Sequence, residues 1–234
     1  MTSQDRKLAT RLVHAGRDAK SFGGAVNPPI QKASTLLAEN VEDLYGGTKS
    51  LYGRMGMQVQ DCLKQGLCEL ENARYAHLAA NGLNACALAI SSIVGAGDHL
   101  IVSDAVYGPT RRYCETFMAR MGVDVSFISP RIGAGVQSAI RPNTKAIFLE
   151  MPGSLTFEMS DPDAILAVTK DYKIVSIVDN TWGAGILFKP LDAGFDVAVQ
   201  ALTKYVVGHS DGFGGAVFTN NNHLSLQIEQ TAQQ

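Results

Sequence analysis

Residues 174–182 read Ile-Val-Ser-Ile-Val-Asp-Asn-Thr-Trp. The first five are dominated by β-branched aliphatic side chains and do not alternate with polar ones. That texture predicts a strand over 174–178 covered on both faces, as in a parallel sheet. Asp179 then closes the run. A carboxylate at the end of a buried strand needs a partner, because burying an unpaired charge is costly. Asp also serves at such places as a plain turn or helix cap, and taken alone this one is open to either reading.

Outward from this stretch the same rhythm repeats. Ala146-Ile-Phe-Leu precedes it as another buried strand, and Pro162 to Lys170 reads as the intervening helix, entered through Ser160-Asp161. Further upstream, Leu100-Ile-Val and Val123 to Ile128 read as strands, and Pro109 to Met121 as a helix with proline in its first turn. Val59 to Leu70 and Leu83 to Val94 carry helical spacing; Tyr75 to Ala80 is a short apolar piece. Downstream, Val197 to Val199 and Ala216 to Phe218 are short strands, and Asn220 to Ser225 reads as a polar tail. Strands alternating with helices predict an α/β domain with a mostly parallel central sheet. Ligands in such sheets bind beyond the carboxyl ends of the strands.

The first fifty residues have a different texture. Gly23-Gly24, Pro28-Pro29 and Gly46-Gly47 interrupt any long element, and the residue before each proline is pushed toward extended backbone. The expected division is therefore an N-terminal arm over 1–50 and one large domain over 51–234.

Composition narrows the partner. Of 234 residues, 46% are hydrophobic and 18% charged, which supports a packed core rather than disorder. Twenty Lys and Arg against 22 Asp and Glu leave a net charge of -2, so nothing favours nucleic acid or an anionic membrane. The most apolar stretch, Ala85 to Ala96, is broken by Ser91 and Ser92 and is too short for a bilayer. The opening residues lack an apolar leader, and Cys62, Cys68, Cys86 and Cys114 lack any paired spacing. The expectation is a cytoplasmic chain with buried free thiols and a small molecule or another protein as its partner.

The second informative stretch is Gln200-Ala-Leu-Thr-Lys-Tyr-Val-Val-Gly-His-Ser-Asp. Lys204 follows an apolar strand, where an amine deprived of water loses its proton and attacks carbonyls. A surface lysine extending past a strand end is the plainer alternative. Lys204 comes 25 residues after Asp179, one strand-connection-strand unit later, so both reach one crevice. A lysine and an acid there suit pyridoxal phosphate: the amine forms a Schiff base and the carboxylate keeps the ring nitrogen protonated. Gly183-Ala-Gly185 lacks the third glycine of a dinucleotide fingerprint, and no serine nucleophile elbow accompanies His209 and Asp211.

These motifs resemble those of the Cys/Met-metabolism family of pyridoxal-phosphate enzymes, the trans-sulfuration lyases and synthases. Leu51-Tyr-Gly-Arg, Glu150-Met-Pro-Gly-Ser-Leu-Thr-Phe-Glu, Val178-Asp-Asn-Thr-Trp and Thr203-Lys-Tyr-Val-Val-Gly-His-Ser-Asp carry the resemblance, from about Thr10 to about Thr219. The second stretch and Trp182 favour the carbon–sulfur β-lyase branch over the γ-lyases, γ-synthases and sulfhydrylases. The resemblance implies a fold type I large domain of the aspartate-aminotransferase kind, with a sulfur-containing amino acid as substrate. Lys204 matches the Schiff-base lysine, Asp179 the ring-nitrogen partner, and Tyr107 the tyrosine stacked on the ring. Gly82 and Leu83 match the phosphate cradle, and Thr203 adds a hydroxyl to it. Tyr52 and Arg54 match the pair that reaches the neighbouring subunit's phosphate site, which implies a homo-oligomer, dimer or tetramer, with shared active sites.

The chain also departs from the family pattern. Asn81 stands where a hydroxyl residue is usual, Ala201 where many relatives carry serine, and Gly56-Met-Gln-Val replaces the usual Gly-Thr-Pro-Thr. It ends at Gln234, without the smaller C-terminal domain and its substrate-clamping arginine, as either a fragment or a short form with reduced or lost activity.

Overall fold

The computed structural model of the chain describes residues 6–46 and 50–234. The opening residues 1–5, read above for a leader, and Gly47 of the Gly46-Gly47 pair lie outside the described residues. Packing divides the chain into two units, 1–70 with Gln233, and 71–232 with Gln234. The arm boundary expected at 50/51 falls inside the first of them.

In the first unit, short helices α1 (Leu8–His14) and α2 (Val41–Tyr45) precede α3 (Gln58–Glu71), whose last residue belongs to the second unit. Asn40 caps α2 by accepting from the Asp43 amide at 2.8 Å. The helical spacing read from Val59 to Leu70 thus extends one residue further at each end. Gly16 has φ +67°, and a Cβ there would lie 2.1 Å from the Cys62 carbonyl oxygen. Only glycine lets the segment after α1 lie this close to α3.

The second unit is built on seven strands. In chain order its elements are β1 (Tyr75–Ala79), α4 (Gly82–Ser91), β2 (His99–Ser103), α5 (Gly108–Arg112), β3 (Asp124–Ile128), β4 (Thr144–Glu150), α6 (Pro162–Tyr172), β5 (Val175–Asp179), α7 (Pro190–Ala193), β6 (Val197–Gln200), β7 (Gly215–Thr219) and α8 (Asn222–Ala232). The sheet order is β1-β7-β6-β5-β4-β2-β3. Neighbours from β3 to β6 pair parallel, whereas β7 pairs antiparallel with both β6 and β1. All strands but β7 therefore deliver their carboxyl ends to one edge, and β7 begins there.

Burial explains the sequence texture. Every residue of β2, β6 and β7 is buried, whereas β1 and β3, at the sheet margins, are mostly half-exposed. Ala85 and Ala89 of α4 are fully buried, and small side chains let that helix lie close to the sheet. Asp161 caps α6 by accepting from the Ala164 amide at 3.0 Å, with Pro162 in the first turn, as the Ser160-Asp161-Pro162 sequence predicts.

Three expectations need correction. The helix expected from Pro109 to Met121 widens into a π-type turn over Tyr113–Met118. There the Thr116 hydroxyl donates to the Arg112 carbonyl at 2.7 Å, a local bond that competes with the regular ladder. The polar tail after Thr219 is a helix: Asn221 accepts from the His223 and Leu224 amides, while Leu224 and Ile228, four apart, are buried. Of the four free thiols, Cys86 and Cys114 are buried but Cys62 and Cys68 only partly so. No helix among the described residues is long and apolar enough to cross a membrane.

Candidate active site

Asp179 ends β5 and is only 7% exposed. Its Oδ1 accepts from the Thr181 amide at 2.9 Å and from the Thr181 hydroxyl at 2.6 Å. Its Oδ2 accepts from the Cys86 thiol at 3.5 Å. Among the described residues no cation forms an ion pair with it. Burial raises its pKa, and the hydrogen bonds from Thr181 and Cys86 oppose that rise. Burial likewise holds Cys86 well above the usual thiol range, so its sulfur keeps the proton that it donates.

The Thr181 hydroxyl also accepts from the Ala201 amide at 2.8 Å, tying the end of β5 to the residue after β6. From Ala201 the chain enters a tight turn. The Lys204 amide donates to the Ala201 carbonyl at 3.2 Å, the Val207 amide to Leu202 at 2.9 Å, and the Gly208 amide to Lys204 at 2.8 Å. Leu202 is buried and anchors the turn. Lys204 itself is exposed, so the described residues do not supply the dry pocket expected around its amine. The Thr203 hydroxyl exchanges hydrogen bonds with the backbone of Gly214, both at 3.2 Å.

Gly82 opens α4 behind its cap Asn81, whose Oδ1 accepts from the Asn84 amide at 2.9 Å. A Cβ on Gly82 would lie 2.4 Å from Ala201 Cβ and 3.1 Å from its Cα. The absence of side chains at 82 and the small one at 201 bring the helix start against the lysine turn. The amides of Gly82 and Leu83 fall among those a helix start leaves without intrahelical acceptors, a natural seat for an anion.

Tyr107 follows β2, is 50% exposed, and donates its amide to Glu150 Oε2 at 2.6 Å. Glu150 ends β4 and is the register partner of Asp179. Burial first, then the charge of Asp179, push the Glu150 pKa up to about 8, against the pull of the Tyr107 amide.

One sheet edge thus carries Asp179, Gly82, Leu83, Thr203, Lys204 and Tyr107. Tyr52 and Arg54 belong to the first unit, where both are exposed. Tyr52 pairs with Thr35 across an antiparallel bridge, and the Arg54 guanidinium lies 5.8 Å from the Tyr52 ring centroid. Three further residues shape the edge without having been singled out from sequence: Thr181, Cys86 and Glu150. Thr181 had a local signal, a hydroxyl two residues after an Asp in a turn. Cys86 and Glu150 act across 93 and 43 residues, and no local pattern reports such contacts.

The sequence signature of the family described as Cys/Met metabolism PLP-dependent enzyme matches residues 9–234. A putative cystathionine β-lyase of Rhizobium johnstonii is 42% identical over 221 residues, 94% of this chain and 56% of that protein. The cystathionine β-lyase of Escherichia coli is 41% identical over 224 residues, 92% and 57%. The crystal structure of metB from Corynebacterium glutamicum superposes with a TM-score of 0.93 at 28% identity, covering all of this chain and 60% of that one. The chain therefore spans somewhat over half the length of the relatives it matches.

The residues present fit pyridoxal phosphate. Asp179 is a buried acid with no ion-pair partner among the described residues, suited to a protonated ring nitrogen, and the start of α4 at Gly82 presents helix amides suited to a phosphate.

Proposed function

Because this chain belongs to the Cys/Met metabolism PLP-dependent enzyme family, whose cofactor is pyridoxal phosphate, we propose that it is the cofactor-binding part of a carbon–sulfur β-lyase. The reaction proposed converts cystathionine and water to homocysteine, pyruvate and ammonia, a step toward methionine in the cytoplasm. Its chain length relative to the β-lyases it matches makes the activity of these 234 residues alone part of the proposal.

When bound, the cofactor supplies an electron sink for the pair left at the substrate α-carbon. The chain's own residues do the rest. Lys204 would hold the cofactor through its amine, which could also take the substrate α-proton and return a proton toward the departing thiolate. Asp179 would keep the cofactor's ring nitrogen protonated, and Tyr107 would offer its ring to a face of the cofactor. The Gly82 and Leu83 amides and the Thr203 hydroxyl would hold the phosphate. Tyr52 and Arg54 complete the phosphate site of a neighbouring copy, so the working form is a homo-oligomer.

The observation that carries this reading is the placement of Asp179. It is a buried carboxylate at a parallel-sheet edge, linked through Thr181 to the turn that bears Lys204. The test is to supply cystathionine and measure pyruvate and free thiol together, on the chain and on Lys204→Ala. Equal amounts of both products from the chain, and none from the variant, support the reading. Release of 2-oxobutyrate instead of pyruvate would assign γ-elimination and overturn it.

A further inference from the structure

Glu150 has no part in the chemistry above, yet it bonds one of the groups that chemistry needs and stands beside another. It is the last residue of β4 and stands in register with Asp179, the last residue of β5. Its Oε2 accepts from the Tyr107 amide at 2.6 Å, across a gap of 43 residues. The loop that follows reinforces the link: the Ser154 amide donates to the Ala105 carbonyl at 2.8 Å. A Cβ on Gly153 would lie 2.5 Å from Ala105 Cβ, two residues before Tyr107. The segment after β2 is thus fastened to the end of β4 at two places.

We propose that Glu150 is a positioning residue, fixing the backbone of Tyr107 to the strand end beside Asp179 so that one carboxyl sets the spacing between the ring's face partner and its nitrogen partner. The inference rests on the cofactor reading above. The working atom is the acceptor oxygen at its full reach, not the charge. A planar ring held by its edge at Asp179 can stack on Tyr107 only if that distance is kept. Shortening the side chain by one methylene leaves the Tyr107 amide without its acceptor, while an amide of the same length keeps it.

Two variants separate reach from charge. Glu150→Asp keeps the carboxyl and loses the reach; Glu150→Gln keeps the reach and replaces the carboxyl by an amide that does not titrate. Three readouts apply to the full chain: hydrogen exchange at the Tyr107 amide without cofactor, the dissociation constant for added pyridoxal phosphate, and the visible circular dichroism of the bound cofactor. The expected result for Glu150→Asp is faster exchange at Tyr107, roughly tenfold weaker binding and a diminished dichroic band, because the Tyr107 amide loses its acceptor. Glu150→Gln is expected to match the parent in all three. Glu150→Asp matching the parent, or Glu150→Gln impaired as much as Glu150→Asp, overturns the proposal. A parent chain that protects Tyr107 but takes up no pyridoxal phosphate defeats the cofactor reading instead, because the exchange comparison does not depend on it.

Discussion

Thr181 carries two duties with one hydroxyl: it donates to Asp179 and accepts from the Ala201 amide. Thr181→Val keeps the shape and removes both, leaving a backbone amide without its acceptor and Asp179 short of a donor. We expect destabilisation of about 1–3 kcal/mol, read as a lower urea midpoint, and weaker pyridoxal phosphate binding. An unchanged midpoint would mean the hydroxyl ties nothing together. The carboxyl pair makes a second prediction. The Glu150 pKa rises from 4.5 to about 8 on folding, and that of Asp179 also rises. The folded chain then keeps a proton that the unfolded chain releases, so this pair's contribution to stability is fullest below about pH 4.5 and is lost as pH climbs toward 8. Urea midpoints of the cofactor-free chain should decline over that window, and Glu150→Gln should flatten the decline; equal slopes would contradict the placement of Glu150. At this scale Asp179 and Lys204 were legible because each closes or follows an apolar run. Their helpers were not, because Cys86 and Glu150 meet them only after the sheet has formed.

Between elements, the decisive contact is that of the α4 start with the lysine turn. A methyl group at position 82 would sit 2.4 Å from Ala201 Cβ, far inside normal contact. Alanine is favoured over glycine in helices by roughly 1 kcal/mol, but overpacking of a tight contact costs about 1–3 kcal/mol, so the clash wins. Gly82→Ala should therefore lose stability and phosphate affinity, and adding Ala201→Gly should restore part of both. Additive losses in the double variant would show that the two positions do not touch. Elements with strong periodic patterns were readable in the sequence: the Val59–Leu70 spacing, the Asp161 cap and the β-branched run of β5. The helix α8 was hidden because Asn220-Asn-Asn-His reads as polar, and its apolar stripe begins only at Leu224. The π-type turn at Tyr113–Met118 has no sequence period of its own.

For the whole molecule, a mostly parallel sheet was foreseeable from alternation alone, whereas the antiparallel insertion of β7 between β6 and β1 was not: strand direction depends on chain return, not on composition. The proposed sharing of active sites between copies makes a prediction at this scale. Mixing Arg54→Ala with Lys204→Ala chains should create, in hybrid dimers, one site with both residues intact, about a quarter of the parent's sites. No recovery after subunit exchange would place Arg54 in its own subunit's site. The most direct test of the central claim is borohydride reduction of the chain loaded with pyridoxal phosphate, followed by peptide mapping. The account predicts the pyridoxyl group on Lys204; its appearance on another lysine, or on none, would contradict it.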